Sequence, residues 1–397
     1  MSTVHDQPTT AGPAQPQDYT PWTAGGAPGG PGWPGGEGGG PGRPSGRPRH
    51  RAFAWMAGLI ALVAAATAAS AAAIRVSAAS PQNRVLTTSQ VAATVDPALV
   101  DINSTLGYQH AASAGTGMVI SPSGIVLTNN HVVEGATAIR ATDIGNGRTY
   151  RATVIGYDKR HDVAVLKLQG ASGLKAVNLG DSSSVKAGQK VVALGNAGGR
   201  GGAPSVAPGH VTGVNQSIRA TDDSAGTTEK LTGMIGTNAA IVAGDSGGPL
   251  VNTAGQVIGI NTAGNGNTFQ VASNVQGFAI PIDRAESIAG QIMSHKGSAT
   301  VHIGATAFLG IGVAPQAPGA PGGATVAGVL AGTPAARAGL SAGDVITSVG
   351  GRSVTSPDSL QTVMLSHHPG DQVTVTWTGQ SGQSHSATLT LATGPVG

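Results

Sequence analysis

Ser246 lies in Gly244-Asp245-Ser246-Gly247-Gly248-Pro249, a serine set among glycines. Small neighbours let the backbone turn sharply and let a substrate come close. In such a turn the N–H groups of Gly244 and Ser246 can converge beside the hydroxyl, which is the layout of an oxyanion hole. Taken alone, the stretch equally suits a Gly-rich hairpin turn with a solvated serine. Two upstream residues decide for chemistry. His131 follows the strand-type run Ile125–Thr128 and two asparagines, which places an imidazole at a rim just past a buried strand. Asp162 opens the alternating run Val163–Leu168, where a carboxylate can be half-buried at a strand end. A base, an orienter and a hydroxyl in the order His, Asp, Ser, at intervals of 31 and 84 residues, suit acyl transfer through a serine nucleophile. The order and intervals fit two β-barrels, with His131 and Asp162 in the first and Ser246 in the second.

The elements that must position these groups follow from composition and pattern. A chain of 397 residues with 40% hydrophobic content holds two or three domains with real cores. Only 10% of residues are charged and the net charge is +3, with no Lys/Arg cluster interleaved with aromatics, so nucleic acid is not an expected partner. There is no cysteine, which excludes disulfides, a thiol nucleophile and thiolate metal sites. The 11 histidines are scattered without a His-Glu-Xaa-Xaa-His pattern, so neither a metal nor an organic cofactor is expected.

Residues 1–50 contain 13 Gly and 10 Pro and read as a disordered tail, ending at 51. Arg43, Arg47, Arg49 and Arg51 then precede 23 uncharged residues, 52–74, of which 12 are Ala. As a helix this run is about 34 Å long, enough to cross a bilayer. The basic flank places the N-terminal side in the cytoplasm and the rest of the chain outside. The long preceding tail favours an uncleaved anchor over a secretory signal cut near Ala71-Ala72-Ala73 or Ser77-Ala78-Ala79. Residues 75–95 read as a linker, 96–298 as the catalytic domain and 299–397 as a second domain.

In 96–298, short apolar runs recur with turn signals between them: Leu99–Ser104, Gly117–Ser121, Ile125–Thr128, Thr149–Gly156 and Val163–Leu168, then Val191–Gly195, Val211–Ile218, Leu231–Gly236, Leu250–Asn252, Val257–Thr262 and Gly277–Ile280. Many short strands predict an all-β barrel pair. Stretches 196–209 and 219–230, rich in Gly, Pro, Asp and Ser, read as loops. A helix over Pro281–His295 places Ile282, Ala285, Ile288, Ala289 and Ile292 on one face. Residues 314–323 read as a linker or as a loop inside the last domain. There, Ser356 and Pro357 form an N-terminal helix signal, and Gln372–Thr378 alternates as a strand.

Thr128-Asn129-Asn130-His131-Val132-Val133, Asp162-Val163-Ala164-Val165-Leu166-Lys167 and Gly244-Asp245-Ser246-Gly247-Gly248-Pro249-Leu250 resemble the HtrA (DegP-like) branch of the trypsin-like serine proteases, over about residues 90–397. Phe308-Leu309-Gly310-Ile311, Ala335-Ala336-Arg337-Ala338-Gly339-Leu340 and Gly343-Asp344-Val345-Ile346 resemble a PDZ module. The resemblance implies a chymotrypsin-like double β-barrel followed by a small α+β PDZ domain. It implies serine endopeptidase activity on envelope or extracellular proteins, and a homotrimer. It places the base of the first specificity pocket at Ala240, with Asn261, Thr262 and Ala263 as a wall. In the PDZ module, Phe308, Leu309, Gly310 and Ile311 would hold a peptide carboxylate, and Leu360, Val363 and Met364 would line the groove from the helix. The loops 196–209 and 219–230 fall where such proteases carry regulatory loops. Two departures stand out. Asp245 replaces the usual Asn, and without an Ile-Val-Gly-Gly activation sequence it must be solvated or bound locally. The stretch 239–243 also lacks the Pro often found before the oxyanion Gly. An envelope chaperone or PDZ binding protein with little proteolysis, and an esterase on the same triad, are the rival functions. An intact triad speaks against an idle fold.

Overall fold

The computed structural model describes residues 85–196, 199, 201–222, 227–262, 277–316 and 322–397. Among these, no helix is long and apolar enough to cross a membrane. The tail 1–51, the apolar run 52–74 and residues 75–84 lie outside the described residues, so the expected anchor falls there as well.

The part of the expected linker that is described is not one. Thr88–Val95 is a helix (α1), opened by a reciprocal cap between Thr87 and Gln90. Val91, Ala92 and Val95 are spaced to share one face, and all three are buried in the core between the barrels.

The first barrel is built from β1 (Leu99–Leu106), β2 (Ala111–Ser121), β3 (Ile125–Thr128), β4 (Ala138–Asp143), β5 (Thr149–Asp158) and β6 (Val163–Leu168). Their order is β5-β4-β1-β2-β3-β6, and pairing of β5 with β6 closes the ring. A one-turn helix, α2 (Asn130–Val133), follows β3. The second barrel is β7 (Lys190–Gly195), β8 (Ser205–Asp222), β9 (Thr227–Thr237), β10 (Pro249–Asn252), β11 (Val257–Thr262) and β12 (Gly277–Pro281), closed in the order β10-β11-β12-β9-β8-β7. The helix α3 (Ile282–Met293) buries the five expected residues Ile282, Ala285, Ile288, Ala289 and Ile292.

Much of the two expected loops is strand. Ser205–Gly209 pairs with β7, and Arg219–Asp222 pairs with Thr227–Lys230 in a long β8–β9 ribbon. Main-chain bonds carry such a ribbon whatever the side chains, so polar composition hid it. β13 (Val301–Ile303) was expected in the second domain. It pairs instead with Gly156–Asp158 of β5 and extends the first barrel's sheet. Val301 and His302 are buried there, which fixes the pairing.

The last domain begins with β14 (Ala307–Phe308) and β15 (Ile311–Val313), then β16 (Ala324–Val329), α4 (Pro334–Ala338), β17 (Val345–Val349) and β18 (Arg352–Ser353). It ends with α5 (Pro357–Met364), β19 (Gln372–Thr378), β20 (Ser384–Thr390) and β21 (Ala392–Thr393). The main sheet runs β15-β16-β17-β19-β20, with β15 at one edge. Ser356 caps α5 as expected, in a reciprocal cap with Ser359. The segment between β15 and β16 is therefore a loop inside this domain and not a linker, though 317–321 lie outside the described residues.

Candidate active site

β3 ends at Thr128, and the chain bends through Asn129 into α2. One helical turn is too short to hold itself, so its contacts orient it. The hydroxyls of Ser104 and Ser113 both donate to the Val132 carbonyl, at 2.9 and 3.3 Å. Lys159 and Glu134 form an ion pair from the β5–β6 turn to the end of the helix.

Asp162 closes that same turn with φ +54°, a conformation that Asp tolerates better than most residues. The Asn129 side-chain amide donates to the Asp162 carbonyl at 2.9 Å. The Asp162 carboxylate grips His131 twice. Oδ1 accepts the His131 main-chain N–H at 3.0 Å, and Oδ2 lies 2.8 Å from Nδ1. An ionised carboxylate only accepts, so Nδ1 carries the proton and Nε2 is the basic nitrogen. The Asp162 side chain is 4% exposed and that of His131 44%, so the pair is anchored at its buried acid.

Ser246 is brought towards this pair by β2. Gly115 packs against both Val132 and the Ser246 carbonyl, so closely that a Cβ there would meet each. Next to it, Thr116 N–H donates to the Ser246 carbonyl at 2.8 Å, and Thr116 Oγ1 donates to the Gly244 carbonyl at 2.8 Å. Gly247 lies against Thr128 and Thr116, at φ +84°, where a Cβ would come within 2.2 Å of Thr128 Oγ1. The contacts of residue 128 with 247, and of 132 and 246 with one glycine, bring His131, Asp162 and Ser246 to one place. The Gly247 N–H donates to the Asn261 carbonyl at 2.9 Å.

The turn ahead of the serine has Gly244 at φ +94° and an Asp245 N–H to Val242 carbonyl bond of 3.0 Å. A positive φ at the third residue with that bond is a type II turn. Relative to type I, its central peptide is flipped, and this peptide carries the Gly244 N–H assigned to the oxyanion. Asp245 holds the turn from beneath. Its Oδ2 accepts the Val242 N–H at 3.0 Å and its Oδ1 accepts the Ser205 hydroxyl at 2.7 Å. Of the two alternatives left by the sequence, Asp245 is bound locally and not solvated, at 1% exposure. Burial raises its pKa, with the Val242 and Ser205 bonds opposing. Thr116, Asn129 and Ser205 were missed from the sequence, since nothing periodic marks a hydroxyl or amide that bonds to main chain far away.

The pocket assignments fare differently. Ala240 is exposed, while Ile241 beside it is buried against Gly277. Asn261 and Thr262 are buried, and the Asn261 amide donates to the carbonyls of Leu194 and Pro249. The Asn261 side chain therefore braces the barrel from within, with Thr262 buried next to it. Ala263 lies outside the described residues.

In the second domain, Gly310 adopts φ +87° and has Thr333 where a Cβ would be. The carbonyls of Leu309 and Gly310 accept from the N–H groups of Ala335 and Leu330, which pins the Phe308–Ile311 loop beside the edge strand β15. Leu309 itself is buried. Phe308 does not face a groove alone: its ring stacks on Tyr108 of the β1–β2 turn at 5.4 Å. Leu360 and Val363, expected as groove wall, are buried in the domain core, because an eight-residue helix needs that face to stay on its sheet. Met364 and Ile311 are only partly buried against the same core.

Residues 115–260 match the family model described as trypsin-like peptidase domain, and residues 307–385 match the PDZ domain model. The chain is 35% identical over 315 residues to "Serine protease PepD" of Mycobacterium tuberculosis, covering 76% of this chain and 65% of that protein. It is 35% identical to "Probable periplasmic serine endoprotease DegP-like" of Halomonas elongata, over 71% of this chain and 57% of that one. It is 33% identical to "Serine protease Do-like HtrA" of Lactococcus lactis subsp. cremoris, over 71% of each. The chain thus spans less than two thirds of the first two of these relatives.

Proposed function

The chain belongs to the HtrA family, trypsin-like serine proteases that carry a PDZ domain, and from that premise we propose that it is a serine endopeptidase acting on envelope or extracellular proteins. Ser246 attacks the scissile carbonyl, and His131 Nε2 takes the hydroxyl proton. The same nitrogen then protonates the leaving amine, and water hydrolyses the acyl-enzyme by the reverse proton route. Asp162 fixes the tautomer and stabilises the imidazolium. The N–H groups of Gly244 and Ser246 receive the oxyanion. The observation that carries this reading is the double grip of Asp162 on His131, which makes Nε2 the basic nitrogen of a ring whose side chain is 44% exposed.

Ala240 carries no charge and Ile241 is apolar, so cleavage falls after small or medium aliphatic residues and not after Arg or Lys. The edge strand β15 and the Gly310 turn suit a peptide added as a strand with its terminal carboxylate on main-chain N–H groups. Residues 52–74 anchor the protein with the catalytic domain outside, and three copies assemble. The anchor rests on the basic-flanked apolar run and the trimer on family resemblance. Light scattering and membrane fractionation test these two assignments.

The decisive experiment is casein hydrolysis by residues 84–397 with Ser246→Ala as control. Hydrolysis by the wild type alone supports the endopeptidase. Hydrolysis by neither, with aggregation of a client protein suppressed, selects the chaperone or binding-protein reading.

A further inference from the structure

Beyond β21, residues 394–397 fall outside both matched spans, 115–260 and 307–385. They run back onto the first barrel. The Gly135 N–H donates to the Val396 carbonyl at 2.7 Å, and the Val396 N–H donates to the Ala136 carbonyl at 3.1 Å. Upstream, the Gly394 N–H donates to the Thr306 carbonyl at 2.9 Å. Gly397 N–H donates to the Thr306 hydroxyl at 3.1 Å. That hydroxyl also bonds Tyr157 at 3.2 Å. The Val396 side chain packs against the core cluster that holds Val132, Val133 and Ala136.

Gly135 is four residues beyond His131, just past the single turn of α2. Two serine hydroxyls and one ion pair hold that turn on its other sides. Val396 grips the exit from the turn by two reciprocal main-chain bonds. The grip is not a close-packed one. Pro395 and Val396 border a solvent-open cleft of about 220 Å³, shared with Ile139, Val154 and Tyr157. Val396 is only partly buried, so this contact can be removed without emptying a core.

We propose that Gly394–Gly397 is a splint for the catalytic histidine: a positioning segment that fixes the C-terminal end of α2 and so the aim of His131 Nε2. The inference rests on the endopeptidase reading for its catalytic readout but not for the docking itself. A misplacement of about 1 Å at a general base costs up to roughly a hundredfold in rate. Loss of the splint should therefore lower kcat by about tenfold or more and leave KM unchanged, since the segment acts on the aim of the base and not on substrate binding.

The test compares residues 84–397, the same chain ending at Thr393, Val396→Pro, which removes one donor, and Val396→Ile, which keeps both bonds. Two measurements are made on each: hydrogen exchange at Gly135, and kcat and KM on a short peptide amide. The expected result is faster Gly135 exchange and lower kcat in the shortened chain and in Val396→Pro. Val396→Ile should match wild type, and the peptide Thr-Gly-Pro-Val-Gly added in trans should restore kcat to the shortened chain. Unchanged exchange in both overturns the docking. Faster exchange with unchanged kcat, or a loss confined to KM, overturns the positioning role. If the parent chain shows no activity at all, the endopeptidase reading and the positioning role fall together. The Gly135 exchange then still decides whether the segment docks.

Discussion

Asp101→Asn should stabilise the protein at pH 8 and do nothing at pH 4. Asp101 sits on β1 between Thr116 and Thr142, 4% exposed, with the Gly202 N–H bonded to its carboxylate. Burial raises its pKa from 3.8 to about 6, more than the Gly202 bond lowers it. Above pH 6 the carboxylate is ionised in both states, and the folded protein bears the desolvation cost. Below pH 4 it is protonated in both, and the cost vanishes. The wild type therefore loses stability from this group as pH rises from about 4 to about 6. A rise of about two units is worth roughly 3 kcal/mol. The expected effect is therefore about 2–3 kcal/mol at pH 8. Urea unfolding of wild type and Asp101→Asn at pH 4 and pH 8 measures it. Asp96, whose pKa burial also raises to about 6, is common to both proteins and cancels in the difference. An equal effect at the two pH values, or destabilisation at pH 8, would refute the reasoning.

Three further outcomes are expected. Asp162→Asn should lower kcat by about 10⁴, because an amide donor facing Nδ1 favours the wrong tautomer; peptide hydrolysis with a folded variant checks it. The ratio kcat/KM should be low at acid pH and rise as His131 loses its proton, since the base must be neutral to take the serine proton; a maximum near pH 4 would point to a carboxylate mechanism. Gly247→Ala should destabilise by about 2–4 kcal/mol and abolish activity, because its Cβ would meet the Thr116 carbonyl at 2.0 Å in a left-handed backbone; unaltered melting would contradict this.

The sequence made some features plain because each was local. Ile125–Thr128, Val163–Leu168 and Val257–Thr262 are strands at the bounds their apolar runs suggested. The buried face of α3 follows from its 3.6-residue period, and Ser356 caps α5 through a bond to its own third neighbour. Where a feature depends on a distant partner, pattern was silent. β4 was missed because Ala138, Arg140 and Thr142 alternate with few large apolar side chains. The outer part of the β8–β9 ribbon, 219–222 paired with 227–230, is held by main-chain pairing and reads as loop in the sequence. Within the candidate site, His131, Asp162 and Ser246 stood out by residue type and order, whereas the Thr116 and Ser205 bonds reach 128 and 40 residues along the chain. The burial of Asn261 and Leu360 was hidden for a related reason: a residue's position beside a site does not say which way its side chain turns.

β13 has a consequence for the order in which the molecule is made. Its partner β5 is laid down some 150 residues earlier, and the whole second barrel is synthesised in between. β5 also pairs with β6, the strand that Asp162 opens. As the chain emerges, the sheet behind the acid of the triad lacks its outermost strand until Ile303 has been added. The hydroxyl of Thr300, just before that strand, is likewise missing from the Asp158 carboxylate that steadies the turn before Asp162. A nascent chain cut short after the second barrel would thus possess every residue of the proposed triad and yet an unfinished support for it. Contacts so distant in sequence form late, so the proposed site is completed last.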